Sequence, residues 1–163
     1  MKFNKSFAFK AGAIVAVAAL ALTGCSATKT VSYKACMVSD AGGFKDASFN
    51  EEAWNGLQNA KKDYGIEVAT VQSPETATQT DFVTGVQSMV DAKCNLIIGV
   101  GFALATAVRD AAKANPDINF ALIDSALSND DYSPLSLDNV KPIQYDTAQA
   151  AVSYTHLRAH ETS

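Results

Sequence analysis

The chain has 163 residues, of which 48% are hydrophobic and 18% charged, with only 9 Gly and 4 Pro. Its length suits about one domain, and its composition excludes a disordered tail, a collagen-like fibre and a disulfide-dense mini-protein. A formal charge of −4 argues against nucleic acid as a partner, because phosphate recognition needs clustered Lys and Arg.

Lys2, Lys5 and Lys10 lead into an uncharged run from Ala11 to Leu22, closed by Thr23-Gly24-Cys25. A basic start, an apolar centre of about a dozen residues and small residues before a cleavage point describe an export signal over residues 1–24. The run is too short to span a bilayer, which takes about 20 apolar residues. Leu22-Thr23-Gly24-Cys25 resembles the lipobox of bacterial lipoproteins, which implies a diacylated Cys25 at the mature N-terminus. Two acyl chains suffice for stable anchoring where one is marginal. Cys25 is therefore an expected membrane anchor on the extracytoplasmic face of the cell membrane, and residues 25–32 an expected linker.

From residue 33 the pattern alternates strand and helix. Val31 to Ser39 reads as a strand, and Ser48-Phe49-Asn50-Glu51 as a capping box, with Ser48 as cap and Glu51 three residues on. The helix that follows carries Trp54, Leu57, Ala60 and Tyr64 on one face, which makes Trp54 core, and stops at Gly65. Ile66 to Val71 is a second strand. Thr80 or Asp81 opens a second helix with Phe82, Val83, Val86, Met89 and Val90 at helical spacing. Leu96 to Val100 is a nearly continuous apolar run, as in a strand covered on both faces. Ala103 to Ala114 is a third helix, closed by Asn115-Pro116, and Ile118 to Ile123 a fourth strand. Beyond the polar stretch around Asn129-Asp130-Asp131, Asn139 to Tyr145 makes a weaker fifth strand, with Asp146 or Thr147 capping another helix. Such alternation implies parallel pairing by right-handed crossovers, hence a doubly wound α/β lobe over residues 33–151.

The C-terminal segment Val152-Ser153-Tyr154-Thr155-His156-Leu157-Arg158-Ala159-His160-Glu161-Thr162 matches the translation of a transposon sequencing-adapter string at every residue. Residues 152–163 therefore read as an artefact fused to a truncated gene, and they hold both histidines. Without them, a Ser/His/Asp triad, a Cys/His pair and a His-ligated zinc site lose their candidates. From Cys25 to Ala151 there remain 9 basic and 16 acidic groups, a net of about −7. Cys36 and Cys94 sit in or beside apolar runs and read as buried free thiols, a disulfide between them being the lesser alternative.

Ligands of such a sheet meet the carboxyl ends of its strands near the topological switch point. There the chain places Asp40 through Asn50 after the first strand, Gly99-Val100-Gly101-Phe102 after the third, and Asp124-Ser125 after the fourth. Two carboxylates, Asp40 and Asp124, can accept paired hydroxyl protons, and Phe49 offers a face for stacking, so the expected ligand is a polyhydroxylated small molecule with a planar part. Asp46 either joins this set or only braces the turn before the helix. Gly99-x-Gly101 lacks the third glycine of a dinucleotide fingerprint and follows the wrong strand, so no cofactor is expected.

The motifs Asp40-x-Gly-Gly-x-x-Asp46-x-Ser48-Phe49-Asn50 with Trp54-x-Gly56-Leu57, Leu96-Ile97-Ile98-Gly99-Val100-Gly101-Phe102, and Pro116-Asp117-x-x-Phe120-Ala121-x-Ile123-Asp124 together resemble the basic membrane protein family. These are lipoprotein receptors of ABC importers, similar to bacterial purine nucleoside receptors. The resemblance implies a type I periplasmic-binding-protein fold, of which this chain carries the N-terminal lobe and lacks the second. It implies a purine nucleoside as ligand and an ABC permease as partner. Asp40 and Asp124 would bind polar groups, Phe49 would stack on the base, and Asn50 would add a hydrogen bond, with Asp46, Gly101 and Phe102 beside them. Two rival readings use the same residues. One is a lipoprotein that senses a small polar ligand for another membrane partner; the other is an enzyme whose divalent metal sits on Asp40 and Asp124. The expectation is a binding protein, not an enzyme.

Overall fold

The computed structural model describes residues 32–161. The export signal and Cys25 lie outside the described residues. Five strands form one all-parallel sheet in the order β2-β1-β3-β4-β5: β1 Lys34–Val38, β2 Glu67–Val71, β3 Leu96–Val100, β4 Asn119–Ile123 and β5 Val140–Ile143. Helices α1 Phe49–Tyr64, α2 Gln79–Asp91 and α3 Ala105–Ala114 make the first three crossovers, and α4 Thr147–Glu161 follows β5. The expected doubly wound α/β lobe is present. The chain runs outward from β1 to β2, then back across to β3, so the switch point lies between β1 and β3.

Alternation along β1 divides the core in two. Cys36 and Val38 join Phe82, Val86, Ile97, Leu104, Val108, Phe120 and Leu122 beneath α2 and α3, whereas Ala35 and Met37 join Leu57 and Val100 beneath α1. A Cβ on Gly99 would lie 2.7 Å from Val108 Cγ2, so the missing side chain is what lets α3 close on β3. The expectation that β3 is covered on both faces is met, though the two faces are covered unequally. Ile97 is fully buried, but Leu96 and Ile98 on the α1 side are half-buried, because a single helix covers that face.

Several local expectations are corrected. Ser48 precedes α1, yet its side chain makes no capping bond; the Asp46 carboxylate takes that role with two oxygens where the hydroxyl has one. Tyr64 is 69% exposed, since α1 ends there at left-handed Gly65, and Val83 points outward beside the buried Phe82, Val86 and Met89 stripe. Helix α2 opens two residues earlier than expected, with Thr78 donating its N–H and its hydroxyl to Asp81 Oδ2, each at 2.7 Å. The third helix divides into a 3₁₀ turn, Phe102–Leu104, and α3. Pro142 is tolerated in β5 because that strand is the edge of the sheet.

The cysteines also differ from expectation. Cys36 on β1 and Cys94, just past α2, form a buried disulfide rather than two free thiols. Parallel pairing of β1 with β3 brings their Cα atoms to 6.0 Å, within the span of a disulfide.

Helix α4 continues from Thr147 through the adapter-like segment, and Gln149 N–H donates to Asp146 Oδ1 at 3.1 Å, so Asp146 caps it as expected. Residues 151–155 and Arg158 are exposed, with the Arg158 guanidinium 5.9 Å from the Tyr154 ring centre. Among the described residues no helix is long and apolar enough to cross a membrane.

Candidate functional site

The loop after β1 is built around Asn50, which is 2% exposed at the first turn of α1. Its amide nitrogen donates to Asp40 Oδ1 and to Asp46 Oδ2, both at 2.8 Å, and its carbonyl oxygen accepts from Asp40 N–H at 3.3 Å. Gly42 N–H donates to Asp40 Oδ1 at 2.9 Å. Behind them, Ser73 Oγ–H donates to Ser39 O at 2.6 Å and fastens the end of β1 to that of β2. Asp40 is thereby fixed through Oδ1, and among the described residues nothing donates to Oδ2.

Asp46 is spent on the helix. Oδ1 accepts from Ser48 N–H at 2.9 Å and Glu51 N–H at 3.1 Å, and Oδ2 from Asn50 N–H at 3.3 Å. Burial alone would raise its pKa, but the Asn50 side-chain amide and then the backbone N–H groups of Glu51, Ser48 and Asn50 outweigh that and hold the carboxyl below the usual 3.8. The bracing alternative describes its geometry.

Across the switch point stands Gly101, at φ 92. A Cβ there would sit 2.5 Å from Asp40 Oδ2, so only glycine lets strand β3 end against that carboxylate. Gly101 N–H donates to Ile123 O at 2.9 Å, and the next residue, Asp124, donates its N–H to Ile143 O at 2.8 Å. Asp124 holds φ 61, a left-handed conformation that Asp tolerates. It is half-buried, and among the described residues its carboxylate has no hydrogen-bond partner.

Tyr145, two residues past β5, stacks on Phe49 with ring centres 5.0 Å apart and planes inclined by 27°. The contacts therefore close a circuit: Asp40 to Gly101, Gly101 to the residue before Asp124, Asp124 to β5, Tyr145 to Phe49, and Asn50 back to Asp40. Phe102 lies beside it with its ring 75% exposed. Every expected residue is thus on the carboxyl edge. Asn50 and Asp46 are engaged within the chain; Asp40 Oδ2, Asp124 and the aromatic pair are what the edge presents. Sequence reading missed Tyr145, whose signal was an aromatic placed just past a weak edge strand.

A cleft of about 470 Å³ adjoins the β1 loop, its lining including Gly42, Gly43, Phe44, Glu51, Trp54 and Gln72. Trp54 is half-buried and stacks on Phe44 at 5.2 Å, and Asp40, Phe49 and Asp124 are not in its wall. Among the described residues no group of three or more His, Cys, Asp or Glu is arranged to hold a metal ion.

Comparison with known proteins identifies the family. Residues 33–152 match the Bmp family, described as ABC transporter substrate-binding protein PnrA-like. The chain is similar to the ABC transporter nucleoside-binding protein BmpA of Lactococcus lactis, at 34% identity over 133 residues, covering 77% of this chain and 38% of that protein. It is 38% identical over 97 residues to an uncharacterized lipoprotein of Pyrococcus horikoshii, covering 58% of this chain and 23% of that one. Among solved structures it resembles a solute-binding protein of an ABC transporter system from Aeropyrum pernix, with a TM-score of 0.56, 26% identity, and coverage of 68% of this chain and 28% of the other. The chain thus spans well under half the length of these relatives, and it belongs to the Bmp family of ABC transporter substrate-binding proteins.

Proposed function

We propose that this chain is the ligand-binding N-terminal lobe of an extracytoplasmic lipoprotein receptor that takes a purine nucleoside and delivers it to an ABC permease. The observation that carries the reading is the pairing, on one sheet edge, of two carboxylates with unused oxygens and an aromatic stack. Asp40 Oδ2 and the Asp124 carboxylate would accept the ribose hydroxyl protons, while the base stacks at Phe49 and Tyr145. Asn50 and Asp46 are positioning residues in this account: they hold Asp40 and the start of α1 where the ligand needs them. The name of the Lactococcus relative is consistent with a nucleoside. An open half-site fits a receptor whose second lobe closes over the ligand, since pockets bury most of a small ligand's surface. Nothing in the circuit pairs a nucleophile with a base, so the proposed role is binding and not catalysis.

Within this reading residues 1–24 are the export signal, Cys25 the lipid-bearing anchor, 25–32 a linker, 33–151 the lobe and 152–163 a sequencing artefact. The family match ending at residue 152 is consistent with that last division.

The test is Phe49→Ala in a receptor that carries this lobe together with a second one. Loss of a base–aromatic stack costs about 1–3 kcal/mol, or roughly tenfold to a hundredfold in Kd. If Phe49 is only a packing residue, the melting temperature falls and affinity for the folded receptor stays within about twofold.

A further inference from the structure

The aromatic pair on the carboxyl edge is shut. Phe49 packs against the apolar cluster beneath α1, and Tyr145 stacks on it with ring centres 5.0 Å apart. Stacked planar groups lie about 3.5–4.0 Å apart, so a base held between two rings needs them about 7–8 Å apart. A planar ligand therefore enters only if one ring withdraws by about 2–3 Å.

The two rings are held very differently. Phe49 opens α1, and its neighbour Asn50 is fixed by its amide bonds to Asp40 Oδ1 and Asp46 Oδ2, both at 2.8 Å. Tyr145 is 51% exposed, and among the described residues its hydroxyl has no hydrogen-bond partner. Its segment is tied to the sheet at Ile143, which bridges to Ser125 and whose carbonyl accepts from Asp124 N–H at 2.8 Å. Past that tie, Thr147 N–H donates to Tyr145 O at 3.0 Å, and residues 147–149 and 151–155 of α4 are exposed. Tyr145 is thus the ring that can yield, and it carries with it the segment joining β5 to α4.

We infer that Tyr145 is a gate on the base subsite, parted from Phe49 by a ligand with a planar part and left shut by one without. This rests on the proposed nucleoside reading of the edge. A base offsets the broken ring pair by stacking on both rings. A simple sugar has no π-face, and its hydroxyls can reach Asp40 Oδ2 and Asp124 with the pair intact. The gate therefore separates two kinds of occupancy. Only a ligand that carries a base displaces the β5–α4 segment, so the chain leading away from the sheet registers the nucleoside and ignores its sugar.

The test uses a two-lobed receptor containing this lobe, with inosine and ribose as probes. Tyr145→Ala weakens inosine binding by about threefold to thirtyfold, less than Phe49→Ala, because the empty variant no longer has a ring pair to break. Its Kd for ribose stays within about twofold, whereas a merely structural role moves both ligands together. Tyr145→Phe restores the parent's inosine affinity, since the hydroxyl has no partner to lose. Fluorotyrosine incorporated at position 145 reads the ring itself: its fluorine resonance shifts on saturation with inosine and holds on addition of ribose. In a receptor that binds inosine, unchanged or tighter binding by Tyr145→Ala, an equal loss for both probes, or a resonance that ignores inosine overturns the gate and leaves the nucleoside reading standing. A receptor whose titration with inosine, adenosine and guanosine is flat refutes that reading and the gate with it.

Discussion

Gly101 and Asp40 meet so closely that neither can change without moving the other. Gly101→Ala brings a methyl group to 2.5 Å from Asp40 Oδ2 and forces a side chain into φ 92. The expected cost is about 1–3 kcal/mol of stability, together with weaker ligand binding, because Asp40 must swing off its bonds to Gly42 and Asn50. Urea unfolding and ligand titration of this one variant check both; a variant as stable as the parent contradicts the contact. Asp46 gives a pH signature. Its folded pKa lies below the unfolded value, so its contribution to stability is complete above the ordinary carboxylate range near 3.8 and is lost as pH falls through the folded value. Asp46→Asn is therefore destabilising at neutral pH, and the gap between variant and parent narrows on acidification. Melts of both from about pH 7 down to about pH 3 read this directly; a gap that widens toward acid contradicts it. The types and spacing of Asp40, Asp46 and Asn50 were legible in the sequence, but their division of labour was not. Which carboxylate a buried amide will satisfy depends on loop geometry that spacing leaves open.

At the scale of elements, β3 and β4 lie within a residue of where apolar runs place them, because a buried parallel strand must be apolar throughout. The start of α2 slipped because Thr78 could cap it, and at α1 the boundary held but Asp46 took the capping role expected of the Ser48 hydroxyl. The cysteine pair was the larger miss. Nothing local in Cys36 or Cys94 distinguishes a buried thiol from half of a disulfide; only the β1–β3 register brings them together. That bond closes a segment with ends 58 residues apart, worth about 4 kcal/mol by unfolded-chain entropy. The double variant Cys36→Ala/Cys94→Ala should lose about that much in urea unfolding, and reductant should destabilise the parent but not the variant. Equal stability of parent and variant under oxidising conditions refutes a structural role. A persistent disulfide also suits the oxidising side of a membrane, in keeping with the proposed extracytoplasmic location.

For the whole molecule, the proposed function reads the carboxyl edge of this lobe as one half of a ligand site. The circuit from Asp40 through Gly101, Asp124, Tyr145 and Phe49 back to Asn50 lies open on the carboxyl edge, and the chain spans 38% of its Lactococcus relative. An acidic lobe with carboxylates at its mouth suits a neutral, hydroxyl-rich ligand better than an anionic one, since a phosphate would be repelled where a ribose is held. A receptor containing this lobe is therefore expected to discriminate in favour of purine nucleosides. Isothermal titration of that two-lobed receptor with adenosine, guanosine, inosine and the matching 5′-monophosphates tests it most directly. The expected result is saturable binding of at least one nucleoside and loss of roughly tenfold or more in affinity for its monophosphate. Silence toward all three nucleosides, with uptake of a divalent metal or a simple sugar in their place, contradicts it.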